Sequence, residues 1–234
     1  RHPTALAGQA LTTQAALGDR PMVLGIGLSH RPMIEGMLGL SFEKPVRHLI
    51  DYLEVLQPLL ETGTVAYSGE AFTAHIDTGR PTDRAPSVMV AALGEQTLKV
   101  AGRRTDGPIL WMVGPRTVTE HIAPRMTEAA AAAGRGAPRI VCSLPTCVTD
   151  DAEAVRNAAA TVFEIYGQLP SYRAMLDREG ARHPGDVAII GTEEEVAQQL
   201  AGLEAAGVTD FSALEFGTST DEFARTRALL KSLL

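Results

Sequence analysis

The feature of this sequence that most constrains its fold is a repeated alternation of short apolar runs with amphipathic helical segments. Five runs rich in β-branched or apolar residues occur at positions 22–26, 87–92, 109–113, 139–144 and 211–216, and each is followed by a helical pattern. Continuous apolar strands joined through helices predict a parallel sheet that is covered by helices. The sequence therefore predicts an α/β fold, either a barrel or an open doubly wound sheet.

The helical segments have an apolar and a polar face, and their N-termini can be predicted. Between Val46 and Leu60, apolar residues recur three or four positions apart, and charged residues that include Asp51 fall on the opposite side, which is expected to face solvent. Thr192 and Ser219 are each followed three positions later by a glutamate. This spacing is typical of a capping box and predicts that helices begin there.

The turns that follow the predicted strands argue against a dinucleotide-binding sheet. No strand is followed by Gly-x-Gly-x-x-Gly, and the nearest match, Gly25-Ile26-Gly27, lacks the third glycine that packs helix against strand. A barrel is therefore the favoured architecture.

Composition and charge exclude several classes of function. The chain carries 28 acidic and 21 basic residues, a net charge of −7, and no run of Lys or Arg that would bind a nucleic-acid backbone. Its apolar runs are shorter than the roughly 20 residues of a membrane-spanning helix. With 45% hydrophobic residues and only two cysteines, we expect one domain over residues 1–234, without nucleic-acid or membrane partners, in the reducing cytoplasm.

Two connections are too long to be plain barrel loops. Residues 63–86 are rich in Gly, Thr, Asp and Pro, and positions 67–72 predict a small hairpin. Residues 149–186 contain a predicted helix over positions 152–166. In a barrel, such excursions lie over the carboxyl-terminal face of the strands, where sites are built.

The first candidate site is the turn at the end of the first predicted strand, Gly27, Leu28, Ser29 and His30. A glycine lets the backbone approach a ligand closely, Ser29 can donate a hydrogen bond, and a histidine can titrate near neutral pH. The turn as a whole is interpreted as ligand-lining. For His30 alone, a surface histidine in a tight turn is the preferred interpretation.

The second candidate site runs from the next predicted strand into a helix and contains Ala91, Ala92, Gly94 and Glu95. Small residues would leave room for a ligand, and free N–H groups at a helix start attract phosphate. The alternative is ordinary packing between strand and helix, and Glu95 would repel an anion if it pointed inward.

Aromatic residues form a third group of candidates. Trp111, the only tryptophan, alternates with Ile109 and Val113 on a predicted inner strand and is interpreted either as a cavity wall or as core. Tyr166 and Tyr172, with the adjacent Arg173, lie on the second long connection and are interpreted as lining a substrate pocket, holding an acidic group of a ligand or packing a surface lid.

Other chemistry lacks a candidate. Four residues separate Cys142 from Cys147, whereas a redox or zinc pair has two residues between its cysteines. Both are interpreted as buried thiols. The six histidines form no ligand pair, so no metal site is expected, and Gly-x-Ser-x-Gly is absent. No catalytic acid, base or nucleophile is assigned.

The sequence resembles the luciferase-like monooxygenase superfamily in several ordered segments. Residues 1–27 resemble its third helix and fourth strand, residues 87–94 with 101–107 its fifth strand and sixth-strand entry, and residues 187–210 its last βα unit. The start Arg1-His2-Pro3 and the run Trp111 to Pro115 are most similar to the branch that uses the deazaflavin coenzyme F420.

This resemblance implies a (β/α)8 barrel that transfers a hydride between F420 and a small organic substrate. It further implies that Gly27, Leu28 and Ser29 lie along the cofactor ribityl chain, that Ala91, Ala92 and Gly94 lie on its phosphate side, and that the protein is a homodimer. An FMN-dependent monooxygenase and a non-catalytic barrel that only binds remain as alternatives.

The resemblance also implies a longer polypeptide. The matching segments begin at the third helix of the family, so strands one to three lie outside them, and five strand units cannot close a barrel. We expect roughly 70 to 80 further residues before this sequence, since a barrel usually has about 250. An intact mass near 24.8 kDa with cooperative unfolding would contradict this expectation.

Overall fold

Six parallel strands form the central sheet of the computed structural model, which describes all 234 residues. The sheet order is β1, β4, β5, β6, and β6 then pairs with β8 along positions 141–146 and with β7 along positions 146–148. A separate antiparallel hairpin contains β2 and β3. In chain order the strands are β1 (Val23–Ile26), β2 (Thr64–Ser68), β3 (Thr73–Asp77), β4 (Ser87–Ala91), β5 (Gly107–Trp111), β6 (Val141–Val148), β7 (Ile189–Gly191) and β8 (Asp210–Glu215).

Helices connect the strands of the sheet. The predicted capping boxes at Thr192 and Ser219 are confirmed. Each hydroxyl accepts from the backbone N–H of the glutamate three positions later, and the carboxylate of that glutamate accepts from the backbone N–H of the capping residue. None of the helices is long and apolar enough to cross a membrane. The helices are α1 (Pro3–Leu17), α2 (Pro45–Glu61), α3 (Glu95–Arg104), α4 (Pro115–Thr117), α5 (Ala123–Ala131), α6 (Ala152–Val162), α7 (Glu164–Gln168), α8 (Pro170–Glu179), α9 (Glu193–Ala205) and α10 (Thr220–Ser232), with π-helical turns at Pro32–Met37 and Val118–Ile122 and a 3-10 turn at Pro184–Val187.

The five predicted strands are confirmed as β1, β4, β5, β6 and β8, and the parallel α/β class with them. The three-residue strand β7 is too short to appear among the five apolar runs, but it lies in the segment 187–210 that resembles the last βα unit of the family. Val113 does not continue the alternation of Ile109 and Trp111, because Met112, which precedes Val113, adopts a left-handed conformation with φ 56°. In this chain the sheet is open, and closure into an eight-stranded barrel stays a prediction.

The two faces of the sheet differ in burial. Val90, Leu110 and Leu144 point to one face and are fully buried against the helices. On the opposite face, which we call the open face, Ala91 and Ser212 are exposed and Trp111 is half-buried. The strand register aligns these residues on one side of the sheet.

The predicted hairpin is confirmed, but its expected position over the carboxyl ends of the strands is wrong. It follows helix α2, not a strand, and packs along that helix. Asp51 of α2 is therefore fully buried and not solvent-facing as its spacing predicted. Its carboxylate accepts from the Tyr67 hydroxyl at 2.7 Å and the Ala71 N–H at 2.8 Å, and it pairs with Arg47 at 2.9 Å.

The second long connection lies where it was expected, beyond the carboxyl end of β6. The single helix predicted over residues 152–166 is wrong, because Phe163 leaves the helical conformation with φ −101° and ψ 14° and separates α6 from α7. The ring of Phe163 instead meets Trp111 at the end of β5, with centroids 5.8 Å apart. Helices α6, α7 and α8 thus bring side chains to the carboxyl ends of the strands.

We predict that Asp51→Asn destabilises the fold by about 2 kcal/mol at neutral pH, because a buried hydrogen-bonded carboxylate loses part of its partners. Burial opposes ionisation, but the hydrogen bonds from Ala71 and Tyr67 and the charge of Arg47 together lower the pKa of Asp51. Its stabilisation is therefore present above about pH 4 and lost as the pH falls through the lowered pKa.

Urea unfolding as a function of pH measures this effect. The exposed Asp83 provides the matched control, since Asp83→Asn makes the same chemical change outside the core. Equal unfolding free energies for the two variants at neutral pH would contradict the assigned role of Asp51.

Candidate active site at the carboxyl ends of the strands

The structure brings the first two predicted site segments together. Strands β1 and β4 are parallel neighbours in register, with Ile26 opposite Val90, so the turns after them leave the sheet side by side. A Cβ atom added to Gly27 would lie only 2.9 Å from the Cβ of Ala91. A glycine at 27 is therefore needed for this close approach.

Ser29 occupies an unusual backbone conformation. It is exposed and has φ 60°, in the left-handed region that non-glycine residues seldom adopt. Leu28 before it is half-buried and packs against the hydrophobic core. The Leu28 side chain thus anchors the turn, while the Ser29 hydroxyl lies on the solvent side, and strain of this kind concentrates at ligand sites.

The second segment presents backbone groups rather than side chains. Ala91 is exposed on the open face, whereas Ala92 as a whole is only 3% exposed and belongs to the core. Gly94 is the N-cap of α3 and has open space beside it. A Cβ atom added there would have Thr97 Oγ1 as its nearest neighbour, at 3.9 Å. Glu95 pairs with Arg125 at 3.2 Å. The N-terminus of α3 therefore stays open to an anion.

His121 supports this segment from behind, a role that the sequence did not reveal. Its Nε2 lies 3.2 Å from the Leu93 carbonyl oxygen, and the residue is only 2% exposed. Burial lowers the pKa of His121, so the ring is neutral near pH 7. Because the two residues are 28 positions apart, no local pattern could have predicted the contact.

A cluster of six rings, which we call the ring cluster, covers the carboxyl ends of the strands. Neighbouring rings in it have centroids 4.9 to 6.4 Å apart, within the range of favourable aromatic packing. Strand ends supply three of the rings, and the long connection after β6 supplies the other three. The members are His30, Trp111, Phe163, Tyr166, Tyr172 and Phe216.

The ring cluster is apolar in character. Burial lowers the pKa of His30, and burial together with Tyr166 raises the pKa of Tyr172 to about 12, so both rings are uncharged at neutral pH. Trp111 Nε1 is buried and has no hydrogen-bond acceptor. The cluster can therefore exclude water from the carboxyl edge, and it leaves the buried Trp111 N–H without an acceptor.

Other candidates have structural roles. Cys142 and Cys147 are confirmed as buried free thiols, and burial raises their pKa values to about 12 and about 11. Arg173 donates to Asp177 and to two backbone carbonyl groups of the long connection. His2 caps α1 and packs on Phe72 of the hairpin.

Glu179 joins the long connection to the strand ends. Its carboxylate accepts from the backbone N–H groups of Arg116 at 3.1 Å and Thr117 at 2.7 Å, which begin the helix after β5. Gly114 leaves the space that this carboxylate fills, since a Cβ there would lie 2.3 Å from it. The end of α8 is thereby held against the edge of the site.

A parallel α/β sheet whose carboxyl edge carries turns, a free helix N-terminus and a ring cluster has the arrangement in which α/β enzymes bind their ligands. Residues 1–210 match the family model for luciferase-like monooxygenases. The chain belongs to this family, which confirms the resemblance found in the sequence.

Among curated proteins, the chain is similar to an uncharacterised protein of Mycobacterium tuberculosis, with 30% identity over 68% of this chain and 51% of that protein. It is also 28% identical to the 5,10-methylenetetrahydromethanopterin reductase of Archaeoglobus fulgidus, over 75% of this chain and 53% of the reductase. The chain spans about half the length of these relatives.

Solved structures share the fold. The coenzyme F420 dependent tetrahydromethanopterin reductase of Methanopyrus kandleri superposes with a TM-score of 0.79 and 20% identity, over 98% of this chain and 78% of that chain. The oxygenating constituent of 3,6-diketocamphane monooxygenase from Pseudomonas putida, in complex with FMN, has a TM-score of 0.70 and 16% identity, over 98% and 74%. At these identities the similarity concerns the fold alone.

We predict that Glu179→Ala loosens the long connection and lowers stability by about 1 kcal/mol, the usual effect of removing a side chain that caps a helix start. Hydrogen exchange should show faster exchange at the Arg116 and Thr117 amides and in α8, with little change in β6. Glu164→Ala on exposed α7 is the control. Unchanged exchange at both amides would show that the carboxylate does not hold this edge.

Proposed function

We propose that this chain belongs to an oxidoreductase that transfers a hydride between coenzyme F420 and a small organic substrate. The observation that carries the proposal is the convergence of the Gly27 and Ala91 turns at the carboxyl edge, beside the open helix start at Gly94. Ligands of parallel α/β enzymes bind at this edge.

The residues present fit such a cofactor in two respects. The turn of Gly27, Leu28 and Ser29 offers an exposed hydroxyl and a close backbone approach, which suit a ribityl chain. The free N–H groups that follow Gly94 suit a phosphate, because helix N-termini bind anions without a cationic side chain. Glu95 does not oppose this, since its carboxylate is paired with Arg125.

The deazaflavin ring supplies hydride chemistry when it is bound, and the protein contributes position and a dry cavity. In this chain the ring cluster excludes water, and Glu179 holds the connection that carries half of the rings. No acid or base of this chain is assigned to the reaction. His30 is the one histidine of the ring cluster, and burial lowers its pKa, so it is neutral near pH 7.

Reductase relatives support F420 as the cofactor, since one curated relative and one solved structure are methanopterin-type reductases and the latter is described as F420 dependent. The alternative is an FMN-dependent monooxygenase, which the FMN-bound structure of the same fold favours. FMN would use the same turns, so absorbance of the bound cofactor distinguishes the two proposals.

We predict that Gly94→Leu weakens F420 binding more than about tenfold, equivalent to about 1.4 kcal/mol, because its side chain would fill the space beside the α3 N-terminus. The fold should tolerate the change, since Gly94 has φ −80° and no atom nearer than 3.9 Å to an added Cβ. Fluorescence titration with F420 measures the affinity, and thermal unfolding checks the fold.

The matched control is Gly136→Leu, which adds the same side chain at an equally open glycine away from the proposed site. F420 affinity that falls equally in both variants, or in neither, would contradict the assignment of the phosphate side to Gly94.

A further inference from the structure

The indole N–H of Trp111 is buried and has no hydrogen-bond acceptor. Four buried side-chain nitrogen atoms of the structure have no hydrogen-bond partner, and Trp111 Nε1 is the one that belongs to the ring cluster. A buried donor without an acceptor is unfavourable, so such groups in folded proteins call for an explanation. Indole N–H only donates, so the group that completes it is an acceptor, such as an oxygen.

The backbone next to Trp111 fixes the indole at this edge. Met112 adopts φ 56°, and its side chain is fully buried in the core. This left-handed residue ends strand β5 and leaves Trp111 on the open face, in line with Ser143 of β6. A strained residue that is held by its own buried side chain keeps the neighbouring indole in a defined orientation.

The surroundings of the indole are uncharged. Phe163 and Tyr166 pack edge-on against it at 5.8 Å each, and His30 is neutral at physiological pH because burial lowers its pKa. The arginines adjacent in sequence to the cluster are engaged elsewhere, Arg31 with Glu35 and Arg173 with Asp177. The ring cluster therefore offers an uncharged, mainly apolar surface in which Trp111 Nε1 is the buried donor that lacks an acceptor.

We propose that the ring cluster is the substrate-facing wall of the site and selects an uncharged, mainly apolar organic molecule whose carbonyl or hydroxyl oxygen accepts the hydrogen bond of Trp111 Nε1. This inference deepens the proposed function and rests on it for the role of that molecule as substrate. It assigns Trp111 as a specificity-determining residue and Phe163 and Tyr166 as the walls beside it.

The test is a titration of the 15N-labelled full-length protein with cyclohexanone, with and without F420, followed through the indole N–H resonance. Trp111→Phe, which retains an aromatic ring, assigns that resonance by its loss. Cyclohexanone should move the resonance downfield, as expected for a new hydrogen bond. Cyclohexanecarboxylate, which has the same ring with a negative charge, should bind more weakly.

One variant tests the hydrogen bond, and a second variant outside the ring cluster is its control. Trp111→Phe should weaken cyclohexanone binding roughly fivefold, the effect of one lost hydrogen bond between neutral groups, when binding is followed through backbone amides of α7 and α8. Tyr52→Phe removes a hydroxyl from a ring outside the cluster, so it should bind cyclohexanone as the unmodified protein does. If Trp111→Phe fails to fold, the indole shift in the unmodified protein still decides.

An indole resonance that cyclohexanone does not move, in either cofactor state, would overturn the inference, as would equal binding of the carboxylate. The separate F420 titration distinguishes the two proposals. Movement of the indole resonance without F420 binding would contradict F420 as the cofactor and support the role of the ring cluster. F420 binding with an unmoved indole resonance would contradict only the role of the ring cluster.

Discussion

The parallel pairing of β1, β4 and β5 is the interaction on which the candidate site depends. Because the three strands run in the same direction and in register, their carboxyl ends meet at one edge of the sheet. Gly27, Ala91 and Trp111 are far apart in sequence and become neighbours only through this pairing. The same pairing buries the opposite face against the helices, so the fold and the site have a common origin.

The site depends further on contacts that no strand makes. The long connection after β6 supplies half of the ring cluster, and Glu179 attaches the end of that connection to the helix start after β5. Left-handed residues follow both β1 and β5, at Ser29 and Met112. Their cost in backbone energy is about 1 to 2 kcal/mol each and is offset by the packing around them.

The sequence predicted those features that local periodicity determines. The five strands, the hairpin, the capping boxes at Thr192 and Ser219 and the family were all available from it. It could not predict the burial of Asp51, because helical spacing does not reveal that a hairpin covers the polar side of α2. Nor could it predict the break at Phe163 or the contact of His121 with Leu93, which depend on residues distant in the chain.

We propose that the carboxyl edge of this sheet binds a deazaflavin. Fluorescence titration of the full-length protein with F420 and, separately, with FMN tests it most directly, since both would occupy the same turns. We expect saturable quenching by F420 and weak or no binding of FMN. Saturable binding of FMN alone would identify a flavin enzyme, and binding of neither cofactor would contradict the account.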